Sequence, residues 1–313
     1  MTCLCRRRTG MWISMSTKVS TDFAPLEVER FRHKREMPLA VFALAFSLGI
    51  YVLVTYLAFR FARDLEITEL IIEFFEFEED LGQELLRFGA FFVPASVVVV
   101  YAVTFFHFFK NRGETVSCDI PVTERQFPNL HEVCSVYSQR LGLKRIPELY
   151  ITEEGSAEVE TSSVTFKSAY YIRIEGDRVL TALESEDYTV LHFLIASELA
   201  HIALGHTNMP WVFLTLPARL IPLFQNAISR MYCYSADRVA AALIGKKEAI
   251  DAVIALSCEA YIAEEIDRAA YMRDIMEKRS RRQTASCVYY NLISKKPIPA
   301  YRLKALLSIE EDE

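Results

Sequence analysis

Three polar side chains within one apolar stretch have the types and spacing needed for metal-assisted hydrolysis. The stretch, residues 191–206, reads LHFLIASELAHIALGH. Its apolar residues recur every three or four positions and it contains no proline, so it is predicted to form a buried amphipathic helix. Glu198 and His201 lie three residues apart on one face of this helix, where a carboxylate and an imidazole can bind one metal ion together. Ser197 lies beside them, but its neutral hydroxyl is a poor metal ligand.

A second segment, SRMYCYSADRVAAALIG, carries two further candidate groups. It is predicted to be helical over Arg230–Ile244 and to end at Gly245. Cys233 and Asp237 are four residues apart, so they lie on one face of that helix. A cysteine thiolate is a strong zinc ligand, with a bond of about 2.3 Å. Cys233 could therefore join His201 on one metal ion if the two helices face each other.

Both segments resemble the metal-binding motifs of a known family, the membrane-associated zinc metalloendopeptidases that include HtpX and the type I CAAX prenyl protease. In the family's H-E-x-x-H motif, Ser197 stands at the first histidine, and Glu198 and His201 stand at the glutamate and the second histidine. In its Glu-x-x-x-Asp motif, Cys233 replaces the glutamate and Asp237 is retained. Two of the three expected metal ligands are therefore replaced.

A third similarity lies in SKKPIPAYRLKAL, which resembles a family segment of the form Ser-His-Pro followed by an arginine. Lys296 occupies the histidine position and Arg302 is retained. The resemblance covers residues 120–308 and implies an α+β, mainly helical, zincin-like metallopeptidase domain with a small sheet. It implies that Asp237 orients a ligand and that Arg302 or Lys296 lies near the developing oxyanion. The alternative is that Asp237 is an ordinary buried carboxylate paired with Arg238 or Arg302. The resemblance also implies Glu198 as the general base for a zinc-bound water.

Three interpretations of this site remain open from the sequence. In the first, Glu198 and His201 are remnants, hydrogen-bonded to each other or to Asp237, in a catalytically inactive pseudopeptidase that binds or regulates a membrane partner. In the second, His201, Cys233 and either Glu198 or Asp237 form a rebuilt zinc site. In the third, the protein retains weak peptidase activity and hydrolyses membrane-associated or unfolded proteins. Zinc is the cofactor of the last two interpretations and is absent from the first.

Two other histidines are not predicted to replace the missing ligand. His206 follows His201 by five residues, which places it about 140° farther around a helix. His192 precedes His201 by nine residues. Neither reproduces the i, i+4 spacing, and both are predicted to be helix-end or surface residues.

Membrane anchoring is predicted from two apolar runs, residues 38–59 and 88–109, neither of which contains an Asp, Glu, Lys or Arg. Each can cross a hydrocarbon core of about 30 Å, so residues 37–110 are predicted to form a two-helix transmembrane hairpin. Acidic residues recur at helical spacing between the spans, over residues 65–87, and predict an amphipathic helix. Basic residues crowd residues 1–36 and follow the second span, so both the N-terminus and the C-terminal domain are predicted to be cytoplasmic.

The remaining parts of the chain have less specific patterns. Residues 309–313 are predicted to form an acidic tail. The preceding region is predicted to contain a polar linker at 111–122, a helix at 127–143, strands at 149–153 and 170–174, an apolar segment at 211–225 and further helix at 247–280. The apolar segment is expected to pack within the fold, and its alternative position is against the membrane or over the cleft.

Composition narrows the class of partner. The net charge is −6 and the domain has no dense basic patch, so no nucleic acid is expected. The seven cysteines form no C-x-x-C pair, which favours reduced thiols in the cytosol over a disulfide framework. The expected partners are the lipid bilayer and a protein or peptide. A channel or transporter is disfavoured because neither apolar run carries an ionisable residue in its middle.

Overall fold

A computed structural model describes residues 25–63, 79–153, 170–258, 262, 265–276 and 281–308. The acidic tail, the first 24 residues and most of the acidic segment between the predicted spans therefore lie outside the described residues. After a 3-10 turn at Val28–Phe31, the elements are α1 Glu36–Arg63, α2 Glu79–Cys118, β1 Ile120–Val122, α3 Pro128–Arg140, β2 Glu148–Thr152, β3 Tyr171–Glu175, α4 Gly176–Ser185, α5 Thr189–Ala203, α6 Met209–Leu214, α7 Leu216–Arg219, α8 Pro222–Ile244, α9 Lys246–Ala255, α10 Arg268–Met276, α11 Arg281–Ile293 and α12 Pro299–Leu307. The fold is mainly helical with a small three-stranded sheet, as expected.

The two long N-terminal helices, α1 and α2, pack against each other, and the hydroxyl groups of Tyr51 and Tyr101 are hydrogen-bonded between them. Among the described residues, one helix is long and apolar enough to cross a membrane, over Glu36–Leu57 of α1. The second predicted span, residues 88–109, lies within α2.

The predicted polar linker at 111–122 is wrong, because α2 continues to Cys118 and β1 follows directly. The polar side chains in this region have partners within the helix and on the sheet. Thr115 is fully buried and donates to the carbonyl of Asn111 at 3.0 Å, and Arg112 forms an ion pair with Glu148 at 2.5 Å. Composition alone made these residues resemble a loop.

The sheet has the order β1-β2-β3, with β1 antiparallel to β2 and β2 parallel to β3. The two predicted strands are confirmed as β2 and β3. Sequence reasoning missed β1, which has only three residues and contains Pro121 in a position where proline weakens a strand prediction. The predicted helix at 127–143 is confirmed as α3, and Gly142 follows it with a φ of 67°, the left-handed conformation that ends many helices.

The apolar segment before the second candidate helix forms two short helices, α6 and α7, each with a proline in its first turn. The second helix, α8, starts at Pro222 rather than at the predicted Arg230, because proline at a first helical position begins a helix instead of breaking it. It ends at Ile244, before Gly245, as predicted.

The core of the domain surrounds α5, which packs against α8, α9, α3, α4 and β3. Its side chains Leu191, Phe193, Ile195 and Leu199 are fully buried. Because α5 is covered on several sides, most of its surface is apolar, and the polar residues it carries stand out as exceptions. Residues Leu26, Val28 and Phe31 also pack against this core, so part of the predicted N-terminal segment 1–36 docks on the domain.

Candidate functional site

The packing of α5 along α8 brings the predicted site residues into one neighbourhood. Burial raises the pKa of the Cys233 thiol to about 12, and the negative charges of Asp237 and Glu198 add to this effect, while the positive charges of Arg302 and Lys296 oppose it. All four charged groups therefore act on the same half-buried side chain, Cys233, although they come from three separate segments of the chain. The sequence prediction that these segments share one site agrees with this arrangement.

Asp237 and Arg302 form the most buried ion pair of the site. The Asp237 side chain is fully buried, and its two carboxylate oxygens accept hydrogen bonds from Arg302 Nε at 2.8 Å and Nη2 at 2.7 Å. The Arg302 guanidinium also lies 5.6 Å from the ring centre of Phe193 on α5. Burial alone would lower the pKa of Arg302, but the Asp237 charge outweighs it and the pKa is raised. Arg302, predicted near an oxyanion, is thus bound to a carboxylate.

Cys233 is not prepared to bind a metal. Only the thiolate is a metal ligand, and a thiol with a pKa of about 12 keeps its proton at neutral pH. Its sulfur lies 3.9 Å from Asp237 Oδ2, where the thiol can donate to the carboxylate. Zinc binding would have to displace this proton, whose loss is opposed by burial and by the Asp237 charge.

His201 is held by His206, with the two Nδ1 atoms 2.9 Å apart. His206 Nε2 lies 3.0 Å from Glu36 Oε1, and a carboxylate only accepts, so Nε2 of His206 carries a proton. Neutral His206 then accepts at Nδ1, and His201 donates from its own Nδ1. The other ring nitrogen of His201, Nε2, keeps its lone pair.

Both imidazoles are neutral at pH 7. Burial lowers the pKa of His201 well below its usual value, and His206, Arg302 and Lys296 lower it further. Burial also lowers the pKa of His206, and the hydrogen bond to Glu36 only partly opposes this. The prediction that His206 is a helix-end or surface residue is wrong about the surface, because only 5% of it is exposed and its ring stacks on Tyr232 with centroids 3.8 Å apart.

Glu36, at the first residue of α1, is the far end of this hydrogen-bonded chain. It is 2% exposed and also accepts from the Ser235 hydroxyl and the Arg32 guanidinium. Arg32 in turn donates to the carbonyl of Leu204 at 2.6 Å. Buried polar contacts therefore join the start of α1 to the C-terminal end of α5 and to α8.

Sequence reasoning missed this connection. The available signal was a carboxylate, Glu36, placed directly before a long apolar run, where an unpaired charge would be costly. The remaining predicted site residues differ in exposure: Ser197 is buried, Glu198 is partly buried and Lys296 is exposed. His192 is partly buried, and its ring lies edge-on to Tyr137.

The donors gathered at this site do not fit zinc. Within the part of the chain that is described, no three His, Cys, Asp or Glu side chains form a group suited to a metal ion. The chemistry of the donors gives the reason. Asp237 is engaged by Arg302, the Cys233 thiol would first have to lose a proton with a raised pKa, and Ser197 offers a neutral hydroxyl. Of the four positions that resemble the family's metal-site residues, His201 is therefore the one with a lone pair ready for a metal, at Nε2.

Four buried or half-buried histidines are expected to make the free energy of unfolding decrease on acidification. Burial lowers the pKa of His33, His192, His201 and His206. The unfolded chain takes up protons at these residues below about pH 6.5, while the folded chain resists, so the free energy of unfolding falls with decreasing pH. The slope is about 1.4 kcal/mol per pH unit for each histidine protonated only on unfolding.

Thermal unfolding followed by circular dichroism at about pH 7.5 and about pH 5.5 measures this effect on both sides of the usual histidine pKa. We expect His201→Asn to reduce the acid-induced drop in the unfolding midpoint. The partly exposed His131 on α3 provides the control, and His131→Asn should leave the drop unchanged. A midpoint that is constant or rises on acidification would contradict the burial of neutral imidazoles.

The chain was compared with protein-family models, with curated proteins and with solved structures, and none of them matches it. The resemblance to the zinc metalloendopeptidases therefore rests on the three motif segments alone.

Proposed function

We propose that this chain is a membrane-anchored pseudopeptidase of the family that includes HtpX and the type I CAAX prenyl protease. Its zincin-like domain would bind or regulate a protein or peptide partner at the membrane without hydrolysing it. Two features support the family assignment. The helices that resemble the two metal-binding motifs pack along each other, and the third resembling segment places Arg302 on Asp237.

The observation that carries the inactive assignment is the charge balance around Cys233. Arg302 and Lys296 are positive and Asp237 and Glu198 are negative, so the formal charges at this site cancel without a metal ion. A divalent cation would add two positive charges beside Arg302 and Lys296. Cys233, at the third ligand position, could supply a compensating charge only by losing a proton whose loss burial and the Asp237 charge oppose.

The loss of the metal also removes the nucleophile. Zinc lowers the pKa of its bound water from 15.7 to about 7, which is what allows a neighbouring glutamate to generate hydroxide at neutral pH. Glu198 is retained, but a carboxylate alone cannot supply that shift. A retained general base without a metal is therefore compatible with a binding role and not with hydrolysis of an amide bond.

The membrane anchor is the second part of the proposal. α1 satisfies the length and apolarity of a span, and we propose residues 88–109 of α2 as its partner in a two-helix hairpin. The excess of basic residues before α1 and after the second run supports a cytoplasmic position for the N-terminus and for the domain.

Zinc content and peptidase activity of the purified full chain test this proposal. In detergent, we expect far less than one zinc ion per chain after dialysis against zinc, and no hydrolysis of an unfolded protein substrate beyond that of Glu198→Gln. Stoichiometric zinc that is lost in Cys233→Ala would overturn the proposal in favour of a rebuilt site. Hydrolysis that is abolished by Glu198→Gln would overturn it in favour of a peptidase.

A further inference from the structure

The apolar segment that joins the two candidate helices runs beside α1. Phe224, at the start of α8, packs on Phe42 and Phe46 of α1, with ring centroids 5.5 and 5.4 Å apart. One step farther along α1, the Ser47 hydroxyl accepts a hydrogen bond from the backbone N–H of Ala218 at 3.2 Å. The segment thus follows α1 inward from the domain.

The deepest contact of this segment involves both long helices. The hydroxyls of Tyr51 on α1 and Tyr101 on α2 lie 3.1 and 2.8 Å from the backbone carbonyl of Phe213, at the end of α6. Tyr51 is 13 residues beyond Pro38, the first residue of the apolar run, which corresponds to about 20 Å along a helix. This distance exceeds half of a hydrocarbon core of about 30 Å.

Several backbone groups at the breaks between these short helices have hydrogen-bond partners within the protein. A helix end leaves carbonyls and N–H groups unpaired, and these are costly in a hydrocarbon environment. Here one of the two tyrosine hydroxyls donates to the carbonyl of Phe213 while the other donates to its neighbour's oxygen. Ser47 accepts from Ala218, and the buried Thr215 hydroxyl donates to the carbonyl of Trp211 at 2.8 Å. Irregular backbone at membrane depth is tolerated under this condition.

The outward side chains of the segment are apolar, whereas its single charge faces the protein. Four large aliphatic residues are exposed: Leu214, Leu220, Ile221 and Leu223. They continue the exposed apolar face of α1, to which Phe42 belongs. Arg219 is the only charged residue between 209 and 225, and its guanidinium lies 5.9 Å from the ring centre of Tyr232 while Nε donates to Thr215.

We propose that residues 209–224 form a re-entrant wedge that enters the hydrocarbon core of the bilayer beside α1 and α2, with lipid chains covering its exposed leucine and isoleucine side chains. This inference rests on the membrane anchoring in the proposed function and is independent of the zinc content. α8 leaves the bilayer from this wedge, and Cys233 and Asp237 lie about two to four turns farther along it. The candidate site is thereby held close to the membrane surface, where a partner with a membrane-embedded segment can reach it.

Tryptophan quenching in vesicles tests the wedge. The chain has two tryptophans, Trp12 and Trp211, so Trp12→Phe leaves one reporter inside the wedge without changing it. Trp211 is half-buried and its indole N–H donates to Tyr232 at 2.9 Å, so only part of its ring is open to the surroundings. In phosphatidylcholine vesicles we expect brominated acyl chains to reduce Trp211 fluorescence and aqueous iodide to have little effect, because lipid would cover that part of the ring.

Three further single-tryptophan proteins, each built on Trp12→Phe and Trp211→Phe, provide matched positions. Leu223→Trp reports on the wedge, Val52→Trp on the span, and Leu180→Trp on α4, where the exposed fraction of 53% matches the 51% of Leu223. We expect lipid quenching at 223 and 52 and iodide quenching at 180. If only residue 52 is quenched by lipid, the wedge is refuted while the anchor stands. If neither 52 nor 223 is quenched by lipid, the anchor in the proposed function is refuted as well.

Discussion

The double variant Ser197→His, Cys233→Glu is expected to bind one zinc ion per chain, whereas the natural chain is expected to bind none. A histidine at 197 lies four residues before His201 on the same face of α5. Glutamate at 233 reaches farther than cysteine, and its ordinary pKa is about four units lower than that of a thiol, so it supplies the negative charge to a metal more readily than Cys233 does. Nε2 of His201 keeps the lone pair that the metal needs, because Nδ1 donates to His206.

The expected effect is large because the change completes a set of two imidazoles and one carboxylate. We expect micromolar affinity or tighter, about 8 kcal/mol or more of binding free energy. Zinc content after dialysis and isothermal titration measure it. The single variants Ser197→His and Cys233→Glu each leave one ligand position unfilled and are expected to bind zinc much more weakly. A double variant that keeps the helical circular dichroism of the natural chain but holds no zinc would refute the common geometry of the two motifs.

Glu198 allows a second measurement on the same variant. If zinc is bound, hydrolysis of an unfolded protein substrate is expected only where Glu198 is present, and adding Glu198→Gln should remove activity while leaving zinc in place. This separates restoration of the metal site from restoration of catalysis.

The parts of the fold that were predicted correctly depend on local patterns. The helix α5 was predicted from apolar residues at helical spacing, and α8 from its motif and from Gly245. Strands β2 and β3 have short β-rich sequences bounded by turns. The neighbourhood of Cys233 and Arg302 was predicted because motif resemblance carries information about contacts that periodicity does not.

The missed features are those that depend on contacts distant in sequence. The hydrogen bond from His206 to Glu36 joins residues 170 positions apart, and no spacing rule within either segment indicates it. The extension of α2 through residues 111–118 was missed for a related reason. Arg112 and Thr115 are polar residues typical of loops, but in the structure Arg112 forms an ion pair with Glu148 of β2, and Thr115 donates to the carbonyl of Asn111. In both cases the structure depends on a contact with a residue that is distant in sequence.

Removing the Arg302 charge is expected to produce the largest loss of stability among single substitutions at this site. Arg302→Met leaves the fully buried Asp237 carboxylate without the guanidinium that binds both of its oxygens, and the protonated Cys233 thiol at 3.9 Å cannot replace it. Breaking a buried ion pair by removing one partner costs about 3–5 kcal/mol of unfolding free energy. Denaturant unfolding of the full chain in detergent, followed by circular dichroism, measures this loss.

Two comparisons establish that the loss comes from an unpaired buried charge. Replacing both partners, in Asp237→Leu with Arg302→Met, removes the charge together with its counterion and is expected to recover most of the lost stability. The ion pair of Arg268 and Asp251 has an equally short distance of 2.8 Å, but Arg268 is 51% exposed, so Arg268→Met should cost about 1 kcal/mol or less. Equal losses for Arg302→Met and Arg268→Met would show that Asp237 is accessible to water, and the charge balance that argues against a metal ion would then lose its basis.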